Sequence, residues 1–335
     1  MLSAGRIYGP EMQRYSDPAT EFAVVRLTDP AFASGMTAAH HRQFDRRTQG
    51  LLHWSDRSGS PQAYLLDLRS GSSKQLTDAA ALDSTSLCLS PDDKTAWWFD
   101  GAALNETSVS SARTRLVCTA GAERRGFAVA EDGSLFYAEG SRIVRVVKQK
   151  PVAVSEEAGV DLLMARPKQM QLAYRSQAGI GLMGLDGSGK RLLKLAPGRN
   201  EAPLWTPSGH SLIYLHVPED PRELIALREH VPEEDADREI ARTSQFASVS
   251  ANGDASVFAG ASRGKASAYV LILLRVTRRE LTLCEHRASD ARMVSPIFTP
   301  DSQSILFVSD RHGKPAVYRV FVDKFVEATA DEKKR

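Results

Sequence analysis

Little in this sequence invites a disulfide, a metal finger or a membrane. Only three cysteines occur in 335 residues, Cys88, Cys118 and Cys284. Odd in number and far apart, they exclude a disulfide framework and any CxxC metal or redox motif, and are expected as small buried hydrophobes. The longest apolar run, Ala266 to Leu274, is about half of what a bilayer crossing needs, and Arg275 ends it. Met1 to Tyr15 lacks the apolar centre of a signal peptide, so a cytoplasmic protein with no membrane contact is expected. An excess of one charge is missing as well. Lys and Arg number 43 against 41 Asp and Glu, net +2, which provides no broad basic face for nucleic acid. No Gly-x-Ser-x-Gly elbow exists, which excludes a serine hydrolase of that type. The Gly-rich piece from Gly179 to Gly189 lacks a Gly-Lys-Ser/Thr ending, which makes it hairpin turns and not a phosphate loop. Helical periodicity is nearly absent. The one stretch with any claim to it, 220–239, carries Pro232 and dense charge and reads as a solvated charge run where a strand and its connection belong.

What is present is a repeat. Ser90-Pro91-Asp92-Asp93, Glu131-Asp132-Gly133, Arg166-Pro167-Lys168, Thr206-Pro207-Ser208-Gly209, Ala251-Asn252-Gly253 and Thr299-Pro300-Asp301 are turns of one kind, with a degenerate seventh from Asp45 to Gly50. Each precedes an apolar segment: Leu51 to Trp54, Thr95 to Phe99, Leu135 to Ala138, Gln171 to Tyr174, Leu212 to Leu215, Ser256 to Ala259 and Ile305 to Val308. Pro and Gly at fixed offsets set hairpin turns, and the branched and aromatic residues after them suit strands buried on both faces. Turns spaced by roughly 35 to 50 residues predict four-stranded propeller blades. The fold class is therefore all-β, a seven-bladed β-propeller. Arg26-Leu27-Thr28-Asp29 matches the strand ending Gln75-Leu76-Thr77-Asp78 yet precedes the first blade, while the last blade ends at Phe321 one strand short. Phe22 to Thr28 is thus expected to close blade seven, leaving no open sheet edge at the seam. The domain reading is an N-terminal segment 1–20, a single propeller 21–325 and a flexible charged tail 326–335.

Two copies carry a longer signature. Trp54-Ser55-Asp56-Arg57-Ser58-Gly59 leads into Tyr64 to Leu68, and Phe307-Val308-Ser309-Asp310-Arg311-His312-Gly313 leads into Lys314 to Tyr318. With Phe298-Thr299-Pro300-Asp301 ahead of the second copy, the chain resembles the oligogalacturonate lyases, cytoplasmic seven-bladed propellers with TolB-like repeats that degrade pectin fragments. The resemblance implies a β-elimination in which a base removes the proton alpha to a uronate carboxylate and a divalent metal such as manganese neutralises that carboxylate. It also implies metal-binding histidines in a Gln-x-x-His-x-His run before Phe298, where this chain has Asp290, Met293 and Ser295. A catalytic histidine is implied before Trp205-Thr206-Pro207-Ser208-Gly209, where Glu201 to Leu204 stand, and a further one near Gln245 and Phe246. No metal ligand set and no cofactor are therefore expected, and lyase activity is expected weak or lost.

The polar residues at the predicted blade entrances are His40, Arg124, Arg125, Arg199, Glu201, Gln245, Asp290 and Arg292. Arginine forks match carboxylates. The expected ligand is accordingly a short acidic oligosaccharide or another small anion, with Arg125, Arg199 and Arg292 on carboxylates, Glu201 and Asp290 on hydroxyls, and Gln245 beside them. His40 or His41 is the candidate base; as strand neighbours they are expected to face opposite sides. His53 and His216 are expected at strand ends, His210 and His312 in solvated turns, and His230 and His286 in exposed connections. The alternative is a non-catalytic protein-interaction scaffold. Nothing in the sequence fixes an oligomeric state.

Overall fold

The computed structural model describes residues 4–220, 222–243 and 246–327. Its strands form seven small antiparallel sheets, and the fold is a seven-bladed β-propeller. Each predicted segment after a turn is the second strand of its sheet: Gly50–Ser55, Thr95–Asp100, Leu135–Glu139, Gln171–Ser176, Leu212–Val217, Val257–Ser262 and Ser304–Ser309. The chain divides into two compact units, 1–9 with 40–67 and 72–193, and 10–39 with 68–71 and 194–335. The first unit holds the second, third and fourth sheets and most of the first, and the second holds the last three.

The repeated turn has a definite mechanism. In every copy but that at Arg166, where Lys168 takes the positive φ, the fourth residue donates a backbone hydrogen bond to the carbonyl of the first and lies at positive φ, as Gly209 does to Thr206 (2.8 Å, φ 71°) and Ser302 to Thr299 (2.8 Å, φ 59°). The side chain of that first residue then accepts the N–H five residues on: Thr95 onto Ser90 Oγ at 3.0 Å, Ser211 onto Thr206 Oγ1 at 3.2 Å, Val257 onto Asn252 Oδ1 at 2.9 Å and Ser304 onto Thr299 Oγ1 at 3.0 Å. A short side-chain acceptor satisfies an N–H at the start of the following strand, which is why Ser, Thr or Asn opens these four turns.

Packing in the second unit shows how period-2 alternation stacks sheets. Phe258 faces one way, into a cluster with Ile213, Leu215, Leu227 and Phe246 of the fifth and sixth sheets. Its neighbours Val257 and Ala259 face the other way, toward Ile305, Phe307 and Tyr318 of the seventh. Every residue of Val257–Ser262 and of Ser304–Ser309 is buried, and each large apolar side chain so placed contributes about 1.5–3 kcal/mol. Gly260 answers to the same crowding: a Cβ there would lie 2.4 Å from the Phe246 ring.

The seventh sheet closes with N-terminal chain, and by two strands where one was expected. Ala23–Arg26 pairs antiparallel with Ala316–Phe321, and Gln13–Ser16 pairs outside it. Asp17 follows the outer strand and is buried: Oδ1 accepts the N–H of Ala19 (3.1 Å) and Thr20 (3.2 Å), and Oδ2 accepts the N–H of Glu285 (3.0 Å) and lies 3.7 Å from Nη1 of buried Arg311. Arg311 also donates to the Glu285 carbonyl at 2.6 Å and covers the Tyr15 ring at 5.2 Å. The other Ser-Asp-Arg-x-Gly copy repeats the device: Arg57 lies over Tyr8 at 3.7 Å, whose strand Ile7–Tyr8 edges the first sheet on Ser73–Gln75. The shared motif therefore marks the two blades that receive an added N-terminal strand.

Several expectations need correction. The charged stretch 220–239 supplies Ile225–Val231 and the first half of Ala236–Thr243, a hairpin of the fifth sheet, so its charges are interspersed with core residues. His230 sits inside that hairpin and is fully buried, His53 is buried within Gly50–Ser55, and His286 is buried just after Arg279–Glu285. Val326, placed in the tail by the sequence reading, packs with Val322 in the core of the last blade; 328–335 lie outside the described residues. The three cysteines are buried free thiols, and burial pushes Cys88 up to about 12. No helix among the described residues is long and apolar enough to cross a membrane.

Candidate functional site

The first strands of the second, third, fifth and sixth blades are bulged. Between Glu201 and Leu204 the pairing of Arg199–Trp205 with its neighbour shifts, with Ala202 at φ 48°; between Phe246 and Val249 the sixth sheet shifts in the same way. A bulge re-aims the side chains beside it and breaks strict alternation, so entrance residues cannot be placed by counting in twos.

In the second unit these bulges border a cavity of about 550 Å³ whose walls include Arg199, Glu201, Ser262, Arg263, His286, Asp290 and Arg292. Four of the six residues predicted to bind ligand thus line one space. Arg125 does not: it is exposed on Arg124–Val129 in the first unit. Gln245 lies outside the described residues. Two members were missed by the sequence reading, Arg263 and His286. Arg263 follows Val257–Ser262 in no motif, and His286, set between Glu285 and Arg287, looks like part of an exposed charged connection.

Glu201 is the centre of the charge arrangement. Arg199 Nε lies 2.9 Å from Oε1, and Arg263 Nη2 donates to Oε2 at 2.6 Å while its Nε donates to the Phe246 carbonyl at 2.7 Å. Asp290 caps the short helix Ala291–Val294, its Oδ1 accepting the backbone N–H of Arg292 at 2.9 Å. The Arg292 guanidinium is exposed and has no protein partner among the described residues. Next to the cap, the Ser289 amide donates to Asp310 at 2.9 Å. Burial pushes the Asp310 carboxyl upward, but the Ser289 hydroxyl and amide outweigh it and hold the group below its usual range.

His286 is neutral. Burial lowers it below the ordinary imidazole value, against a smaller opposing effect from the Ser262 carbonyl. Its Nδ1 accepts the N–H of Ala288 at 3.0 Å, which puts the proton on Nε2, 3.4 Å from the Ser262 carbonyl. A ring in that tautomer offers the cavity a donor and no lone pair. Three guanidinium charges against two carboxylates therefore leave the cavity at net +1.

His40 and His41 lie in the first unit. They occupy a turn and not a strand, so their rings sit on the same side, 4.3 Å apart and inclined by 67°, contrary to the expected opposition. Both nitrogens of buried His41 meet carbonyls, Nε2 that of Phe127 at 2.8 Å and Nδ1 that of Leu87 at 3.1 Å. Neither is available to a ligand. Burial and the adjacent His41 hold His40 well below the usual value. Arg124, beside the predicted Arg125, pairs with Asp83 at 2.7 Å and lies over Phe99 at 3.9 Å.

The class this fold defines is the seven-bladed propeller. No protein-family model matches the chain, and no curated protein matches it. Among solved structures it is similar to an oligogalacturonate lyase in complex with manganese, at 22% identity and TM-score 0.86 over 96% of this chain and 98% of that one. It is similar also to the oligogalacturonate lyase of Vibrio parahaemolyticus, at 19% identity and TM-score 0.87 over 95% and 98% of the two chains. Hydrazine synthase of Kuenenia stuttgartiensis aligns at 11% identity and TM-score 0.61 over 84% and 95%. The particular likeness carried by the sequence motifs, to oligogalacturonate lyases, is thus matched in three dimensions, and at these identities what is shared is the fold. The same architecture carries unlike chemistries.

The manganese of that neighbour sets a test for this cavity. Manganese wants several oxygen or imidazole donors with lone pairs to spare. Here both oxygens of Glu201 face guanidinium groups, Asp290 Oδ1 holds a backbone N–H, and the Nδ1 of His286 does likewise. Among the described residues no three His, Cys, Asp or Glu side chains converge as a cation site requires. The described residues do not fit the ion.

Proposed function

We propose that the cavity of the fifth and sixth blades binds a short acidic oligosaccharide of the pectin-derived, uronate type. Arg292 meets a sugar carboxylate, Arg199 and Arg263 flank it, and the carboxylates of Asp290 and Glu201 accept sugar hydroxyls. The observation that carries the reading is the Arg292 guanidinium, without a protein partner among the described residues, in a cavity of net positive charge, within a fold similar to that of oligogalacturonate lyases. A charge-assisted hydrogen bond of this kind contributes about 1.5–3 kcal/mol. Elimination also requires a base with an open lone pair. His286 spends its own on Ala288, so turnover is weak or lost.

Titration calorimetry with unsaturated digalacturonate, beside its methyl ester, tests the reading. Binding of the acid and about tenfold weaker binding of the ester are expected, because the ester removes the charge that Arg292 meets. Ultraviolet absorbance of the unsaturated product should rise slowly or not at all. Equal affinity for acid and ester would overturn the reading, and no binding of either would favour an interaction scaffold.

A further inference from the structure

The charge balance of the cavity leads past the identity of the sugar to the means by which its carboxylate is neutralised. A ligand carboxylate entering a half-buried site needs a compensating positive charge. A divalent cation can supply it, or a guanidinium can. Of the donor atoms that a cation would use, both Glu201 oxygens, Asp290 Oδ1 and His286 Nδ1 are already committed to N–H groups of the chain. The guanidinium donors are not. Arginine presents five N–H donors; Arg263 commits Nε to Phe246 and one Nη2 hydrogen to Glu201, and its remaining donors have no protein partner among the described residues. Arg292 commits none of its five to another side chain among the described residues. Arg263 is also anchored at two points, so its planar fork is held in place before any ligand arrives. A fixed fork loses less conformational entropy on binding than a free side chain does.

We propose that this cavity is a metal-independent carboxylate site in which the Arg263 and Arg292 guanidinium groups provide the positive charge that a bound divalent cation would otherwise provide. The proposal rests on the anion-binding reading for its location and adds the mode of recognition. Adding a cation to three guanidinium groups raises repulsion, so manganese is expected neither to bind nor to help.

The test uses the full chain and two kinds of probe. Manganese alone is titrated by calorimetry and by water-proton relaxation, and no saturable binding is expected. Unsaturated digalacturonate and, separately, malonate are titrated in chelator-treated buffer and again with manganese added, with affinities expected to agree within about twofold. Arg292→Ala should weaken the bound anion by about tenfold or more, since a charge-assisted bond is lost. Arg263→Lys, which keeps the charge and the packing but loses the fork, should weaken it severalfold with thermal stability retained. Saturable manganese binding abolished by Glu201→Gln or Asp290→Asn would overturn the proposal. So would an anion affinity that rises tenfold with manganese, or no anion binding in chelator-treated buffer. If malonate binds through Arg292 without metal and digalacturonate does not, the sugar reading falls while the mode of recognition stands.

Discussion

Replacing Asp17 by asparagine keeps the shape of the side chain that fastens the N-terminal strands and removes its charge. One of the two carboxylate oxygens must become an NH2 group. That group then faces either the N–H of Glu285 or those of Ala19 and Thr20, donor against donor. Arg311 is left buried without its counter-charge. Removing one partner of a buried pair costs about 3–5 kcal/mol. The 3.7 Å separation and the hydrogen bond that Arg311 keeps to the Glu285 carbonyl argue for the low end, about 3 kcal/mol. With an unfolding entropy of about 2.1 cal/mol/K per residue, 335 residues give roughly 0.7 kcal/mol/K, so Tm should fall by about 4 °C. Scanning calorimetry measures the shift, and the amides that pair Val24 with Val320 should exchange faster in the same variant. A fall below about 1 °C with unchanged exchange would refute the view that this carboxylate secures the seam.

Acid should destabilise the fold. Burial lowers His53 to about 4, below the unfolded value near 6.5, so between those values the unfolded chain holds a proton that the folded chain does not. Stability is full above about pH 6.5 and falls by up to about 3 kcal/mol as pH drops toward 4; His53→Leu should flatten that slope in urea titrations run at several pH values. Gly260→Ala places a methyl against the Phe246 ring and should cost about 1–3 kcal/mol, read as a lower Tm. Glu201→Gln takes the cavity from net +1 to net +2, so digalacturonate should bind severalfold tighter, with a steeper loss of affinity as salt is raised.

The blade pattern was legible because its signals are local. Pro207, Gly209, Pro300 and Asp301 define turns within four residues, and the strands that follow are buried on both faces and so read as unbroken apolar runs. Closure was legible because Arg26-Leu27-Thr28 copies a strand ending found elsewhere in the chain. The outer strands Ile7–Tyr8 and Gln13–Ser16 were not, because strands of two to four mostly exposed residues have no alternation to detect. Arg199, Glu201, Asp290 and Arg292 could be found by register from Trp205 and Phe298. Arg263 could not, since its place beside Glu201 depends on two bulged strands that no periodicity reveals. His286 misled for a related reason: charged neighbours suggest exposure, but the chain turns inward at the strand end and the ring follows.

Sewing the first strands onto the last sets a schedule for synthesis. Arg26 pairs with Tyr318, so the N-terminal strands leave the ribosome long before their partner is made. At about 5–20 residues per second, that interval of nearly 300 residues lasts roughly 15–60 s. Throughout it, Ala23–Arg26 waits as an unmatched ribbon, and the nascent chain must keep that ribbon from pairing with other strands until translation of Ala316–Phe321 is done.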